Sequence, residues 1–368
     1  MRASDIAQPV GAGLVSAVTG FASSFALVVA GLKAVGASPD EAASGLLALC
    51  LLQGVLAIVL GVRYRMPLAI AWSTPGAALL VAAQATTGDY RAAVGAFLLC
   101  GVLLVLTGLW PALARAMTRI PKPIASAMLA GILFPICLAP VLAAVEMPAL
   151  ALPVVIVWLV LARLAPRWAV PAAVLTTVVV VLASGEGADL AAASLWPRVT
   201  VTWPVLDPAV LVSLGVPLYV VTMAGQNVPG FAVLTTFGYS HPPARAILAG
   251  TGAATVAGAV FGGYTLNLAA ITAAMVAGPD AHPDPGRRWV ASVTGGVAYL
   301  VLGLGAGAAT VLVSVTPPIL ITAVAGLALL GAFATAATGA LEEPSTRVVA
   351  VVTFLVVASG VTVAGIGS

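Results

Sequence analysis

The stretch AWSTPGAALLVAA, residues 71–83, interrupts a membrane-length apolar segment with the tetrapeptide Ser-Thr-Pro-Gly. Such a sequence is unfavourable in a transmembrane helix that crosses the lipid without a break. Thr74 is suited to cap a helix, and Pro75 to be its first residue, where a missing N–H costs nothing. The residues from Pro75 to Thr86 would form about 18 Å of helix, roughly half a bilayer. The stretch therefore predicts a half-helix that begins near the membrane midplane, with Gly76 leaving room for close approach.

The composition of the whole chain is that of an all-α integral membrane protein. Of 368 residues, 61% are hydrophobic and 7% are charged, whereas a soluble domain has about 45–50% apolar and about 25% charged residues. Apolar runs of about 18–25 residues recur along the chain, and each is long enough to cross a hydrocarbon core about 30 Å thick. No soluble domain fits between these runs.

Apolar runs and helix breakers together predict thirteen membrane spans. The first run is too long for the apolar core of a signal peptide, so we expect it to remain in the protein. The predicted spans cover residues 9–32, 41–62, 67–84, 90–111, 121–142, 148–165, 169–185, 207–226, 242–262, 264–278, 288–309, 316–338 and 346–366.

The basic residues predict the orientation of these spans. With the N-terminus in the cytoplasm, 12 of the 15 Lys and Arg residues lie on the cytoplasmic side, and only Lys33, Arg91 and Arg198 lie outside. Cytoplasmic loops are enriched in Lys and Arg, and the opposite orientation would invert the distribution. The net charge of +3 is therefore a matter of topology and does not indicate a nucleic-acid partner.

An internal repeat divides the chain in two. PIASAMLAG at residues 123–131 returns as PILITAVAG at residues 318–326, and Leu-Val-Ser at 14–16 returns at 211–213. Seven spans precede the second copy, and an odd number places the two halves in opposite orientations. Inverted repeats with broken helices are typical of transporters. A seven-plus-seven plan has fourteen spans, so we expect a C-terminal truncation or a missing last span.

The second half contains its own broken segment, GGYTLNLAAITAAMVAG at residues 262–278. We expect a break at Gly262-Gly263, an extended run over residues 264–267 and a helix over residues 268–277. Two half-helices from inverted repeats would point their N-termini at each other, and each N-terminus carries about +0.5 charge. Together they could offset one carboxylate. Two Pro/Gly kinks in ordinary packed helices are the alternative, which their corresponding places in the repeat disfavour.

Two further groups of residues are candidates for the same site. In VVTMAGQNVPGFAVL, residues 220–234, the amides of Gln226 and Asn227 are expected at a helix end, where they could donate to a ligand or cap the terminus. In the first span, Phe21 is a candidate aromatic wall and Ser24 a candidate polar group. Simple packing is the alternative for both.

Acidic residues and histidines are absent from the interior of every predicted span. Proton-coupled carriers usually place an ionisable residue there, and an electrically neutral interior suits an anion better than a cation. The sequence also lacks a nucleophile with a base at membrane depth and lacks metal-ligand spacing. We therefore expect no enzyme activity, no cofactor and no metal.

Three motifs, AWSTPGAAL, TMAGQNVPG and GGYTLNLAAITAA, resemble those of the bacterial benzoate:proton symporter family, and the resemblance runs from about residue 8 to the C-terminus. It implies the fold of uracil permeases and sulfate-type anion carriers, with fourteen spans in two inverted repeats. It also implies an inner-membrane location, substrate binding between the third and tenth spans, and an elevator movement of a core domain against a gate domain. Many such proteins form homodimers through the gate.

On this resemblance the chain divides into four parts. Residues 1–120 and 201–315 would form the two halves of the core, and residues 121–200 and 316–368 the two halves of the gate. Uracil permeases carry glutamates on the eighth and tenth spans, where this chain has Thr222 and Leu266. That departure argues against a nucleobase and leaves proton coupling without an evident carrier.

These observations lead to the hypothesis of a secondary transporter that imports benzoate or a related aromatic carboxylate. The carboxylate would be held by backbone N–H groups at residues 74–77 and 267–269, and a proton would arrive on the substrate or through a peripheral acid such as Glu146 or Asp207. An inorganic-anion carrier or channel, and a receptor that does not transport, are the alternatives. The candidate substrate-binding residues are Phe21, Ser24, Ser73, Thr74, Pro75, Gly76, Ala77, Tyr219, Thr222, Met223, Gln226, Asn227, Tyr264, Thr265, Asn267 and Leu268.

Overall fold

The structure, a computed structural model, describes residues 4–83, 89–110, 112–113, 121–184, 196–270, 272–363 and 366–367. The predicted end of the first half-helix at residues 84–86 lies outside these ranges. So do Arg2, Arg115 and Arg119, which contribute to the predicted orientation.

Helices make up most of the described chain. They are α1 (Ser4–Ala34), α2 (Pro39–Tyr64), α3 (Thr74–Ala82), α4 (Tyr90–Leu109), α5 (Lys122–Glu146), α6 (Pro148–Leu164), α7 (Pro166–Ala183), α8 (Pro208–Thr236), α9 (Ala244–Ala259), α10 (Ala273–Ala277), α11 (Trp289–Gly303), α12 (Ala306–Val315), α13 (Pro318–Leu341) and α14 (Arg347–Ala358). The strands are β1 (Ile70–Trp72), β2 (Leu266–Leu268), β3 (Thr362–Val363) and β4 (Ile366–Gly367).

Several of these helices are long and apolar enough to cross a membrane. Within the described ranges there are six such helices, α1, α2, α4, α5, α8 and α13, and α11 with α12 makes a seventh if that bent pair is one span. The shorter apolar helices α6, α7 and α14, together with the two strand-and-helix segments, occupy further predicted spans. The protein is an all-α membrane protein with two broken spans, as predicted.

The two broken spans meet through their strands. β1 and β2 pair antiparallel, with Ala71 opposite Asn267. The ladder is extended by Ala269 N, which donates to Ala69 O at 2.8 Å, and by Ser73 N, which donates to Thr265 O at 3.2 Å. Antiparallel pairing is what two segments of an inverted repeat produce when they meet, so the corresponding breaks form one structure.

The half-helices differ from the prediction in their bounds. Helix α3 begins at Thr74 and is capped by Ser73, so the predicted cap at Thr74 was one residue late. Helix α10 has only five residues and begins at Ala273, so the predicted helix from Leu268 was wrong. Leu268 belongs to β2 instead, because its backbone bonds to a neighbouring element and not to its own segment.

The eighth span does not end at Gln226, as predicted, but continues to Thr236. Two π-helical turns, Leu211–Gly215 and Met223–Asn227, interrupt its α-helical pattern. The second turn lies just before Pro229, whose ring nitrogen has no hydrogen to donate. The π-turn accommodates this gap, because its hydrogen bonds run one residue further along the chain. Gln226 and Asn227 therefore lie inside a helix and not at its end.

Two later spans also differ from their predicted bounds. Helices α11 and α12 are bent by 60° at their break, and the segment continues to Val315, beyond the predicted end at residue 309. The last predicted span ends as a helix at Ala358. Gly360 follows with φ at +63°, a left-handed conformation that stops a helix, and β3 pairs with β4 beyond it.

The packing separates two helical groups. Helix α5 packs mainly on α13 and α14, while α2 packs on α11 and α4 packs on α9. We call the group of α5, α6, α7, α13 and α14 the gate, and the remaining helices with β1 and β2 the core. Gly326 of α13 lies directly against the Ile136 carbonyl and Pro140 of α5. That carbonyl lacks its helical donor, because residue 140 is proline.

The contact at Gly326 predicts a stability difference between two glycines of the same helix. Gly326→Ala would drive a methyl group into the Ile136 carbonyl, whereas nothing lies within 4 Å of the Cβ position of Gly331. We expect Gly326→Ala to lower the free energy of unfolding by about 1–3 kcal/mol through overpacking. Gly331→Ala should raise it by up to about 1 kcal/mol through helix propensity. Unfolding of the purified protein in detergent measures both, and equal effects would contradict the packing described.

Candidate functional site

Ser73 is the residue that joins the first broken span to its surroundings. Its Oγ accepts hydrogen bonds from Gly76 N at 3.1 Å and from Thr222 Oγ1 at 2.9 Å. Its carbonyl accepts from Tyr264 OH at 2.8 Å and from Ala77 N at 2.9 Å. The side chain of Ser73 is fully buried. One serine thus fixes the start of α3 against both α8 and the segment before β2.

The backbone N–H groups along the edge of β2 that does not face β1 donate hydrogen bonds to side chains. Leu266 N donates to Thr255 Oγ1 at 2.9 Å, Leu268 N to Asn227 Oδ1 at 3.0 Å, and Ala270 N to Gln226 Oε1 at 3.1 Å. Buried backbone N–H groups need such partners where water is absent. The second broken span is therefore held as a strand between β1 and the helices α8 and α9.

These hydrogen bonds change which groups are available to a carboxylate. The N–H groups of Leu268 and Ala269 are engaged with Asn227 and Ala69, and those of Gly76 and Ala77 with Ser73. Of the expected backbone donors, the Thr74 N–H has no partner among the described residues. The start of α3, and β2 in the place of the second predicted helix tip, are thus largely occupied by hydrogen bonds within the protein, and the prediction of two facing helix tips was wrong.

The side-chain amide of Gln226 has a hydrogen-bond donor, its NH₂ group, that the bonds described above do not use. Gln226 Oε1 accepts from Ala270 N. This bond fixes the orientation of the amide, so Nε2 points away from Ala270 N. Nε2 has no partner in the described part of the chain, and Gln226 lines a cavity. Asn227 differs, since its Nδ2 turns to Met223 Sδ at 3.5 Å and away from that cavity. The two adjacent amides therefore have different roles.

The cavity has a volume of about 1710 Å³ and lies between the core and the gate. Thr74, Pro75, Ala224, Gly225, Gln226 and Ala270 line its core side. Ser126, Leu129, Leu133, Leu329, Ala332 and Thr335 line its gate side. Its open end, which we call the mouth, is formed by Lys122, Glu342 and Arg347.

Three of the sixteen sequence candidates, Thr74, Pro75 and Gln226, line this cavity. Gly76, Ala77, Thr222, Met223, Asn227, Tyr264, Asn267 and Leu268 lie behind that wall as buried parts of the core. Asn267 Nδ2 donates to Leu268 O at 2.9 Å, and its Oδ1 has no partner among the described residues. Most candidates thus shape the site without facing its open space.

The remaining candidates form supporting contacts. Tyr219 OH lies 2.6 Å from Thr107 Oγ1, and Thr265 Oγ1 accepts from Cys100 Sγ at 3.6 Å. Ser24 Oγ accepts from Trp72 Nε1 at 2.9 Å. The Phe21 ring stacks on Phe25 with centroids 5.3 Å apart and meets Trp72 edge-on at 6.0 Å. Ser24 and Phe21 therefore hold Trp72 of β1, and neither lines the cavity.

The gate side of the cavity was missed by sequence reasoning. Ala125, Leu129 and Leu133 recur at a helical spacing along α5, and they line the cavity on that face. The same spacing is present on faces of α5 that are exposed, such as Phe134 and Leu138. Periodicity alone does not distinguish a cavity wall from a lipid-facing stripe, since both are apolar.

The electrostatics of the site come from neutral groups. The cavity-lining charges are confined to the mouth, and the described ranges contain no cluster of His, Cys, Asp and Glu suited to a metal. Around Thr74 and Gln226 the polar groups are an amide, a hydroxyl and the backbone at the start of α3. Such neutral donors can bind an anion by hydrogen bonds and the helix dipole.

Comparison with known proteins identifies relatives along the whole chain. The model of a family described as the benzoate membrane transport protein, BenE, matches residues 4–368. The inner membrane protein YdcO of Escherichia coli is 39% identical over 360 residues, covering 97% of this chain and 91% of the relative. A benzoate membrane transport protein of Acinetobacter baylyi is 33% identical over 314 residues, covering 85% of this chain and 79% of the relative.

Two solved structures share the fold. The transmembrane domain of the cyanobacterial bicarbonate transporter BicA matches with a TM-score of 0.61 and 16% identity, covering 96% of this chain and 98% of that one. SLC26A9 matches with a TM-score of 0.62 and 14% identity, covering 95% of this chain and 62% of that one. At these identities the likeness establishes the inverted-repeat fold with core and gate, and it says nothing of the ligand.

The bonds around Ser73 predict a stability loss on removal of its hydroxyl. Ser73→Ala leaves Gly76 N and Thr222 Oγ1 without their common acceptor, and loss of an N-cap costs about 1–2 kcal/mol. Ser23→Ala is the matched control, because Ser23 Oγ donates only to Gly20 O within its own helix. Thermal unfolding should show a lower midpoint for Ser73→Ala and little change for Ser23→Ala. A silent Ser73→Ala would mean that α3 does not depend on this cap.

Proposed function

This chain belongs to the benzoate membrane transport family, and we propose that it imports benzoate or a related aromatic carboxylate across the bacterial inner membrane. In the proposed orientation the N-terminus is cytoplasmic, and a proton moves with the substrate. The core would move against the gate as an elevator, with two copies pairing through their gates. The family and the fold support a membrane transporter.

The orientation of the Gln226 amide carries the proposal. Its oxygen is engaged by Ala270 N at 3.1 Å, so only its NH₂ group is offered to the cavity. Thr74, at the start of α3, lines the same cavity and adds the positive end of that helix. A carboxylate accepts hydrogen bonds and donates none. It is therefore the complement of the Gln226 amide, whose only acceptor is already engaged by Ala270 N.

The opposite wall favours a ring over a compact anion. Leu129, Leu133 and Leu329 face the cavity from the gate, and none of them can bind an oxygen. Sulfate presents acceptors on all sides, so the apolar wall would leave some of them unpaired at a cost. An aromatic acid has one charged edge and an apolar body. The hydrogen-bond donors of the core wall match the charged edge of such an acid, and the apolar gate wall matches its ring.

The contact between core and gate supports movement of one against the other. At Gly225 of α8 an added Cβ would meet Pro75 Cγ at 3.3 Å and both methyl groups of Leu129 at 3.6 Å. This contact consists of small and apolar groups, and the ion pairs found within the described ranges do not join core and gate there. Surfaces of this kind can slide without breaking strong directional bonds.

The acids proposed from sequence as proton carriers do not reach the cavity. Glu146 ends α5, and Asp207 caps the start of α8 by accepting from Ala209 N at 2.8 Å and Val210 N at 3.3 Å. Neither lines the cavity. This favours a proton that joins the substrate carboxylate itself once the anion is bound, so that the species that crosses the membrane is neutral overall.

Gln226→Glu tests the proposed binding group. The substitution keeps an oxygen for Ala270 N but replaces the NH₂ donor with a carboxylate that repels the substrate. Loss of a hydrogen bond to a charged group corresponds to at least about 10-fold weaker binding. We expect uptake of labelled benzoate into proteoliposomes to fall at least that far, and sulfate in excess should not compete in the parent protein.

Gln8→Glu is the matched control for Gln226→Glu. Gln8 is exposed, lies outside the cavity and bonds only to Asp280 O at 3.1 Å. It should transport like the parent protein. Normal uptake by Gln226→Glu would refute the assignment of the site, and binding of benzoate without uptake by the parent protein would indicate a receptor.

The route of the proton is tested by uptake under an imposed pH gradient. A proton carried by the substrate makes transport electroneutral, so an inward proton gradient should drive benzoate accumulation and a membrane potential should not. Glu146→Gln and Asp207→Asn should retain that dependence on pH. Loss of it in either variant would place the proton on that peripheral acid instead.

A further inference from the structure

The charged residues of the cavity are gathered at its mouth. Lys122 is the first residue of α5, Glu342 directly follows α13, and Arg347 is the first residue of α14. The side chains of Lys122 and Glu342 are 73% and 63% exposed, whereas Gln226 and Thr74 at the inner end are buried. A substrate that passes between Gln226 and this opening must pass these three side chains.

The bonds at the mouth leave a surplus of positive charge. Lys122 Nζ lies 2.7 Å from Glu342 Oε2, and the hydrogen bond and the positive charge of Lys122 lower the pKa of Glu342. Arg347 Nε donates to Leu341 O at 2.8 Å. The terminal NH₂ groups of Arg347 have no partner in the described ranges. The charged residues on the cavity lining are thus two cations and one anion, while the neighbouring Glu343 lies outside the lining and accepts a hydrogen bond from Ser345 Oγ at 2.9 Å.

Helix stability does not account for this arrangement. A cation is unfavourable at a helix N-terminus and an anion at a helix C-terminus, yet Lys122 and Arg347 begin helices and Glu342 follows the end of one. An exposed ion pair such as Lys122 with Glu342 adds little to stability and exchanges partners readily. The positive-inside rule places basic residues on this side of the membrane, and the position of these three charges on the cavity lining exposes them to whatever passes through it.

We infer that Lys122 and Arg347 form a transit site for carboxylates at the mouth of the cavity, and that Glu342 holds Lys122 when no anion is there. The inference rests on the proposed function, because the cavity that the mouth serves is the one lined by Gln226. In the proposed orientation the mouth opens to the cytoplasm, and an aromatic carboxylate that passes through it takes the place of the Glu342 carboxylate on Lys122 and pairs with the free guanidinium edge of Arg347. The mouth thereby raises the local concentration of the anion next to the neutral inner site.

The test is the salt dependence of benzoate binding to the purified full-length chain. Lys122→Gln and Arg347→Gln should each weaken binding about 2–5-fold at low ionic strength and by much less at high ionic strength, since salt screens exposed charges. Glu342→Gln removes the competing carboxylate and should strengthen low-salt binding by a similar factor. A purely structural role would not change the dependence on salt.

Arg245→Gln is the matched control. Arg245 is an exposed basic residue in the first turn of α9, outside the cavity, so this variant should keep the parental salt dependence. If the three mouth variants bind with the parental salt dependence, or if Arg245→Gln behaves like Lys122→Gln, the transit site is refuted. If the parent protein does not bind benzoate at all, the proposed function fails instead, so the two failures are distinct.

Discussion

The antiparallel pairing of β1 with β2 is the interaction on which the rest of the structure depends. Two segments of extended backbone lie within a membrane protein, where each unpaired N–H or carbonyl is costly. Neither strand could persist alone, because three residues make too few bonds. The two strands pair with each other from Ala69 with Ala269 to Ser73 with Thr265. This pairing satisfies backbone groups that each half of the repeat would otherwise leave without a partner.

Polar residues of the core use most of their hydrogen-bonding groups to hold this strand pair in place. Ser73 fixes the first broken span, while Thr255, Asn227 and Gln226 fix the second. Among the described core residues that line the cavity, the NH₂ group of Gln226 and the N–H of Thr74 are left without a partner in the protein. A binding group whose other end is held by the backbone is pre-organised, so little conformational entropy is lost when an anion binds. The side chain of Gln226 therefore has two roles in the proposed mechanism, since its oxygen holds the second broken span and its NH₂ group binds the substrate.

Sequence reasoning predicted the membrane class, the inverted repeat and both broken spans, because Pro75 and the pair Gly262-Gly263 are local signals with a clear physical meaning. It misplaced the start of α10, since nothing in Leu268 or Ala269 tells a strand from a helix until their partners on α8 are known. It ended α8 early, since the π-turn before Pro229 arises from hydrogen bonding that residue preferences do not encode. The gate wall and the mouth depend on tertiary placement, so only coordinates could reveal them.

The π-turn at Met223–Asn227 also constrains how this protein can change over evolutionary time. Such a turn is equivalent to one residue inserted into an α-helix. A deletion there would restore regular helical spacing, but it would rotate one flank of α8 relative to the other by about 100°. Gln226 and Asn227 could then no longer both reach β2. Point substitutions in this segment can be sampled one at a time, whereas a change in its length would require the opposing strand to be rebuilt in the same event.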